Sequence, residues 1–521
     1  MYLNRIWSRT AVRTLVVPAL AIALVSVTRA FAADSQSGFS DSSLVSKMAV
    51  AAVVGLISLA VMIPKRDWAA VGSHLPRAAL LGRLFRFKRG GDANRANAPL
   101  PAPPASPANE NAYQPTCRFC GTVLKRSLID LGAQPLSNCY LQPAQLSGPE
   151  PTWPLHAMVC ESCLLVQIDA NEAPERIFSA DYAYFSSYSE SWLKHAADYA
   201  EKMIERLQLD AKSRVVEVAS NDGYLLQNFV RRGIPSLGVE PANNVAQAAI
   251  EKGIPTRICF LNTATAAELA REGQQADLLI GNNVLAHNPS LNDFVQALRI
   301  MLKPSGTLTM EFPHVLRLIA EIQFDTIYHE HFSYFSLLAV QKIFAAHQLT
   351  IYDVDVLPTH GGSLRIYAAR TERGMEISPN VTALLQEERT AGLDKLETYD
   401  QFAERVRKLK RNLIRFLIDA KDEGKTVVGY GAAAKGNTLL NYCGARADIL
   451  DYVADANPYK QGAFLPGTRI PIVAPEKIKE TKPDYVLVLP WNLKDEIMMQ
   501  HSYIREWGGK FVLPVPELRV N

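Results

Sequence analysis

Arg214-Val-Val-Glu-Val-Ala-Ser-Asn-Asp-Gly-Tyr-Leu-Leu-Gln-Asn-Phe-Val-Arg231 is the stretch that decides the fold class. Its near-continuous apolar start reads as a buried strand, Ser220 to Gly223 as a tight turn, and Tyr224 to Arg232 as a helix. Ser236 to Glu240 supplies a second strand, 243–252 a second helix, and Asp277 to Gly281 a third strand. Strands alternating with helices predict an α/β domain on a parallel sheet, with its ligand crevice at the carboxyl ends of the strands.

The turn has one glycine, where a bound pyrophosphate needs close backbone approach at several positions. A nucleoside without phosphates fits better, and S-adenosylmethionine is such a ligand. Asn221, Asp222 and Gly223 would then form the turn beneath it, and Glu240, 17 residues beyond Gly223, would take the ribose hydroxyls. Asn282 and Asn283, after the third strand, would flank the methionine or the acceptor. A generic α/β domain carries the same pattern, so the turn alone does not name the ligand.

Downstream, Asp325-Thr-Ile-Tyr-His-Glu-His-Phe-Ser-Tyr334 places ionisable side chains at four consecutive positions, 328 to 331. A histidine can remove a proton near neutrality, a carboxylate can orient it, and a tyrosine can move a proton or donate to an oxyanion. Catalysis is expected of this cluster, and the separate His287, after Asn282-Asn-Val-Leu-Ala, is a further candidate. His-x-His lacks the spacing of helical zinc proteases. Thr359-His-Gly-Gly-Ser-Leu-Arg365 reads as a glycine turn before a strand, with Arg365 as an anion partner.

From 382 to 423 the apolar spacing predicts one long connecting helix. Then Thr426-Val-Val-Gly-Tyr-Gly-Ala-Ala-Ala-Lys-Gly-Asn-Thr438 runs from strand through glycine turn to helix. Gly429, Gly431, Lys435, Gly436 and Asn437 are expected to hold phosphate there, with Lys460 on a closing loop. Strands at 449–454, near 485–489 and at 510–515 would complete a second parallel sheet.

Upstream, Cys117-x-x-Cys120 and Cys160-x-x-Cys163 are separated by 39 residues. Two such pairs predict a closed four-thiolate zinc site that organises a small domain and leaves no position for a reacting ligand. Cys139, Cys259 and Cys443 are expected in the core. The Tyr- and Ser-rich stretch 181–190 leads into a helix at 191–207, and its polar ring of side chains suits a cap over a ligand.

The first 110 residues hold 13 Lys and Arg against 5 Asp and Glu, leaving 42 against 47 for 111–521. An acidic main body excludes the broad basic footprint of a nucleic-acid binder. Arg5, Arg9 and Arg13 precede an apolar run at 15–27 in a signal-like pattern, and a second run at 48–63 reads as a short membrane anchor. Basic residues follow the second run, which places the catalytic region in the cytoplasm. If the extension is not made, the protein is soluble and cytoplasmic. The expected organisation is a signal-like and membrane segment to 90, a Pro/Ala linker at 91–115, a zinc domain at 116–180, and α/β domains at 181–375 and 376–521.

In that order, the cysteine knuckle, E-V-A-S-N-D-G-Y-L-L, Y-H-E-H-F-S-Y, H-G-G-S-L-R and G-Y-G-A-A-A-K-G-N-T resemble the zinc-containing sugar C-methyltransferases. The resemblance spans about residues 115 to 521, with no counterpart for 1–110. It implies a class I methyltransferase domain using S-adenosylmethionine, structural zinc, and methylation at C3 of a nucleotide-linked 4-keto-6-deoxy sugar through an enolate. It also implies that Tyr182 and His287 belong to the active site, with His331 as the expected base, Glu330 orienting it and Tyr328 or His287 stabilising the enolate oxygen, and that the C-terminal domain holds the sugar nucleotide. A nicotinamide-dependent oxidoreductase and a non-catalytic, membrane-tethered sugar-nucleotide binding module are the other readings. The Tyr328, Glu330 and His331 triplet counts against a module without chemistry.

Overall fold

The computed structural model describes residues 114–170 and 185–521. They belong to the second of two compact units, Met1–Pro107 and Ala108–Asn521. The signal-like segment, the apolar run 48–63, nearly all of the linker and Tyr182 lie outside the described residues. Among those described, no helix is long and apolar enough to cross a membrane.

Three sheets follow one another along the chain. The first is antiparallel: β1 (Arg126–Gln134), β2 (Trp153–Val159) and β3 (Val166–Ile168), joined at its edge by a strand from much later in the sequence. The helix Glu190–Leu207 comes next. Ser189 caps it by accepting a hydrogen bond from the Trp192 amide, and Ala196, Tyr199, Ala200 and Met203 form its buried stripe.

The second sheet takes β4 (Val215–Val218), β5 (Ser236–Val239), β6 (Thr256–Arg257), β7 (Ala276–Asn282) and β8 (Leu302–Pro313). The strand completing the first sheet, β9 (Ser333–Tyr334), pairs with β3. Two last strands of the second sheet, β10 (Leu349–Leu357) and β11 (Ser363–Arg370), follow it. The order is β6-β5-β4-β7-β8-β11-β10. Strands β6 to β8 are parallel, and β11 enters antiparallel to β8. All four residues of β4 are buried, as a strand covered on both faces requires. The chain leaves β4 in one direction for β5 and β6 and then crosses back to β7, so a crevice opens between the carboxyl ends of β4 and β7.

The expected helix over 382–423 is instead three pieces, Pro379–Thr390, Leu396–Asp400 and Phe402–Asp422. Thr390-Ala-Gly392 breaks it, with the Gly392 carbonyl accepting from the Thr398 hydroxyl at 2.7 Å. Apolar periodicity continues across the break, which is why spacing alone did not reveal it.

The third sheet holds β12 (Val427–Tyr430), β13 (Val453–Ala454), β14 (Ile472–Val473), β15 (Tyr485–Val488), β16 (Lys510–Leu513) and β17 (Arg519–Val520). Its order is β14-β13-β12-β15-β16-β17, parallel except for the antiparallel β17. The expected strand at 449–454 shortens to its last two residues. A second crevice opens between the carboxyl ends of β12 and β15.

Candidate functional site

The cysteine pairs sit on two matching turns. Gly121 N–H donates to the Cys117 carbonyl and Leu164 N–H to the Cys160 carbonyl, both at 2.9 Å. The four thiol sulfurs lie within 4.8 Å of one another, with Cys117 to Cys163 and Cys120 to Cys160 each at 3.5 Å. Four sulfurs about 2.3 Å from one tetrahedral zinc stand about 3.8 Å apart, so this donor set fits that ion with no position left over. Gln167 supports it by donating to the Cys117 sulfur at 3.2 Å. Of the other cysteines, Cys443 is in the core as expected, whereas Cys139 is exposed and Cys259 half-buried.

At the β4–β7 crevice, Gly223 adopts φ +76°, and a Cβ there would stand 2.2 Å from Ile254 Cδ1. Glu240 closes the turn from the end of β5, accepting from the Asn221 and Ala242 amides at 2.9 Å each. Burial outweighs those bonds and raises its carboxyl to about 7. Ser186 N–H donates to Asn221 Oδ1 at 2.9 Å, and the Ser187 hydroxyl to Asp222, so the serine stretch covers the turn as a cap would. Both amide atoms of Asn282, Oδ1 of Asn283 and Oδ1 of Asp222 are buried without a partner among the described residues. Orphaned donors and acceptors on both rims of one crevice fit a polar, nucleoside-sized ligand such as S-adenosylmethionine.

The Tyr328–His331 segment is fastened on two sides. Phe332 N–H donates to Ala286 O at 2.7 Å, and Ile168 N–H donates to Phe332 O at 3.1 Å. His331 Nδ1 lies 3.0 Å from the Thr326 carbonyl, which can only accept, so Nδ1 carries the hydrogen and Nε2 the lone pair. The Tyr328 hydroxyl fills that lone pair at 2.8 Å. The His287 ring stands edge-on to His331 at 4.7 Å. Burial, reinforced by His287, holds His331 well below its ordinary value, and burial takes His287 and His360 down to about 4. The cluster is therefore a set of neutral imidazoles, able to receive a proton.

Two expectations fail here. Glu330 does not orient His331: its carboxylate accepts from Asn138 at 2.6 Å, across from the cysteine-bearing sheet, and burial raises it to about 7. Nor is Arg365 an anion partner. It is buried on β11, held by Glu311 at 2.7 Å within a knot that includes His195 and Thr359. Burial pushes the Glu311 carboxyl up, but its bonds to His195 and Arg365 outweigh this and hold it at about 2.

At the β12–β15 crevice the glycine turn is closed on itself. Gly431 takes φ +88° against the Pro490 ring, and its N–H donates to Ala454 O at 2.7 Å. The Ala432 amide donates to Asp455 at 2.7 Å and the Ala433 amide to Gly431 O at 2.9 Å. A diphosphate at this turn would thus rest on side chains or on the first turn of helix Ala434–Cys443, not on the amides of 431–433. Gly429 and Gly436 pack against Val453 and Leu489, and Asn437 donates inward to the Ser137 carbonyl at 2.6 Å. Lys460 reaches the Ala432 carbonyl at 2.9 Å beside Asp455. Lys435 donates to Asn492 Oδ1 at 2.7 Å and lies 4.7 Å above the Trp491 ring.

Sequence reading missed Asn138, Asp325, Glu311, Trp192 and Trp491. Trp192 stacks on His195 at 4.8 Å and meets His360 edge-on at 5.2 Å. Trp491 donates to Asp325 at 2.7 Å. Only the Trp of Pro490-Trp-Asn492, directly after a predicted strand, offered a signal.

Residues 117–178 match a family described as "putative zinc binding domain", 192–354 one described as a methyltransferase domain, and 358–516 one described as the C-methyltransferase C-terminal domain. The C-methyltransferase NovU of Streptomyces niveus is 36% identical over 407 residues, 78% of this chain and 96% of NovU. A ubiquinone biosynthesis O-methyltransferase of Bartonella tribocorum is 29% identical over 96 residues, 18% of this chain and 39% of that protein. A solved magnesium protoporphyrin IX methyltransferase of Synechocystis aligns at TM-score 0.29 and 14% identity, over 39% of this chain and all of that one.

Proposed function

Because the chain belongs to the C-methyltransferase family and is an S-adenosylmethionine-dependent C-methyltransferase, we propose that it methylates C3 of a nucleotide-linked 4-keto-6-deoxy sugar through a base-generated enolate. The observation that carries this reading is His331, neutral, aimed by Thr326 and engaged by Tyr328. A base so placed suits removal of the proton that a neighbouring ketone acidifies.

S-adenosylmethionine, when bound, supplies a methyl carbon carried on a positively charged sulfur. Asn221, Asp222, Gly223 and Glu240 would hold it from one side of the crevice, and Asn282 and Asn283 from the other. The acceptor's proton passes to the Tyr328 oxygen as that hydroxyl gives its own proton to His331 Nε2, and the bond between them then runs from Nε2–H to the phenol oxygen. His287 keeps the cluster uncharged beside it. Tyr182 completes the site in this reading, and Lys460 with the first turn of helix Ala434–Cys443 hold the nucleotide. The four cysteines hold a structural zinc that takes no part in the chemistry.

The test is transfer of labelled methyl by the full-length chain to TDP-, UDP- and GDP-linked 4-keto-6-deoxyhexoses, with product mass and carbon position read by spectrometry. Methylation at C3 of one of them is the expected result. Bound donor with no transfer to any of them would remove the keto sugar as acceptor.

A further inference from the structure

The ammonium of Lys435 rests over a tryptophan that is hydrogen-bonded to the segment carrying the base. Lys435 is half-buried in the first turn of helix Ala434–Cys443, at the carboxyl end of β12. Its three N–H donors have one hydrogen-bond acceptor among the described residues, Asn492 at 2.7 Å, and the Trp491 ring lies below at 4.7 Å. Trp491 acts as a plate joining three segments. Its Nε1–H donates to Asp325 Oδ2 at 2.7 Å, its face carries Lys435, and its edge lies where a Gly361 Cβ would stand at 2.7 Å. Asp325 adjoins Thr326, whose carbonyl aims His331, and Gly361 adjoins His360. Burial is the main cause that holds His331 and His360 low, and the Lys435 charge adds to it at both imidazoles.

Asp325 does not neutralise this ammonium directly. One of its oxygens is taken by Trp491, and the other is buried with no hydrogen-bond partner among the described residues. A cation with donors to spare, joined through Trp491 to the segment that carries the base and without a contact ion pair among the described residues, is suited to charge that appears only during reaction.

We propose that Lys435 is a catalytic residue, donating a charge-assisted hydrogen bond to the acceptor carbonyl oxygen as it becomes an enolate. The inference rests on the keto-sugar reading above. In the step, the C–H bond beside the carbonyl breaks and its proton goes to the Tyr328 oxygen, whose own proton moves to His331 Nε2. The C–H electron pair forms the C=C bond while the C=O π pair moves onto oxygen, and the Lys435 ammonium faces that oxygen throughout. His360, whose Nδ1 is buried with no hydrogen-bond partner among the described residues, adjoins Gly361 at φ +57°.

Deuterium uptake at C3, measured in D2O with S-adenosylhomocysteine in place of the donor, isolates this step from methyl transfer. The acceptor is the panel member that the full-length chain methylates best. For Lys435→Met, uptake at saturating acceptor should fall at least 100-fold and acceptor Kd should change less than threefold. The acid limb of the uptake profile should move to higher pH as His331 loses its cationic neighbour. Uptake within threefold of wild type, or a loss confined to Kd, would overturn the proposal. Asn492→Asp is the second variant, because it sets a carboxylate against the ammonium while keeping Lys435; it should slow uptake at least tenfold, and wild-type uptake there would also overturn it. If the unmodified chain methylates no keto sugar, the acceptor reading falls and this inference with it.

Discussion

The Tyr328 hydroxyl lies 2.8 Å from Nε2 of His331, while Nδ1 of the same ring lies 3.0 Å from the Thr326 carbonyl. One ring nitrogen is fixed by backbone and the other by a side chain that can donate or accept, so removing the hydroxyl alters proton handling without moving the ring. Tyr328→Phe is expected to lower kcat on the order of 100-fold with donor affinity unchanged by calorimetry. Turnover within threefold of wild type would exclude Tyr328 from the proton path.

Glu330 gives a pH signature of its own. Its folded carboxyl titrates near 7 because it is buried, against an ordinary value of 4.5. The native state therefore binds more protons than the unfolded one between those values, and this group's contribution to stability falls as pH rises through that window. Glu330→Gln keeps an acceptor for Asn138 without the ionisation. The stability of the variant relative to wild type should rise from pH 5 to pH 8, by at most about 3 kcal/mol. A difference that stays flat over that range in denaturant titrations would refute the assignment.

The sulfur cluster predicts one zinc per chain by metal analysis. Cys160→Ser, or prolonged chelation, should lower the thermal midpoint through loss of several kcal/mol of binding energy coupled to folding. Turnover should fall only as folded protein is lost. An unchanged midpoint in the metal-free protein would show that the four cysteines fold without an ion.

Gly223 and Gly233 share positive φ, +76° and +71°, but only at Gly223 would an added Cβ collide with a neighbour. Gly233→Ala is expected to cost roughly 1 kcal/mol from backbone strain with donor binding intact. Gly223→Ala should weaken donor binding at least tenfold. Equal effects of the two substitutions on donor affinity would separate the turn from the donor site.

What could be read from the sequence was local. The cysteine spacing, the strand and turn ending in Gly223, the acid at Glu240 and the Tyr328–His331 cluster each announce themselves within a few residues, because backbone geometry and ligand spacing act at short range. The partners were not legible. Glu330 looks poised for His331 in sequence, yet Asn138 claims it from 192 residues away. Arg365 looks like an anion ligand until Glu311, its neighbour across the sheet on β8, is seen to hold it. The glycine turn at 431 resembles a phosphate loop, but Asp455 at the end of β13 engages one of its amides. In each case a long-range contact, invisible to pattern, decides what a locally plausible side chain does.

The segment from Asp325 to His331 is gripped from two directions, by Asn138 on one side and by Trp491 and Thr438 on the other. Modular exchange is constrained as a result. A chimera carrying a relative's last 140 or so residues would replace Trp491, Lys435 and Thr438 together with the acceptor-binding surface. Acceptor choice and competence of the base should be inherited together in such hybrids, and hybrids that fail should be repaired by restoring the grip on this segment before any change to the acceptor pocket.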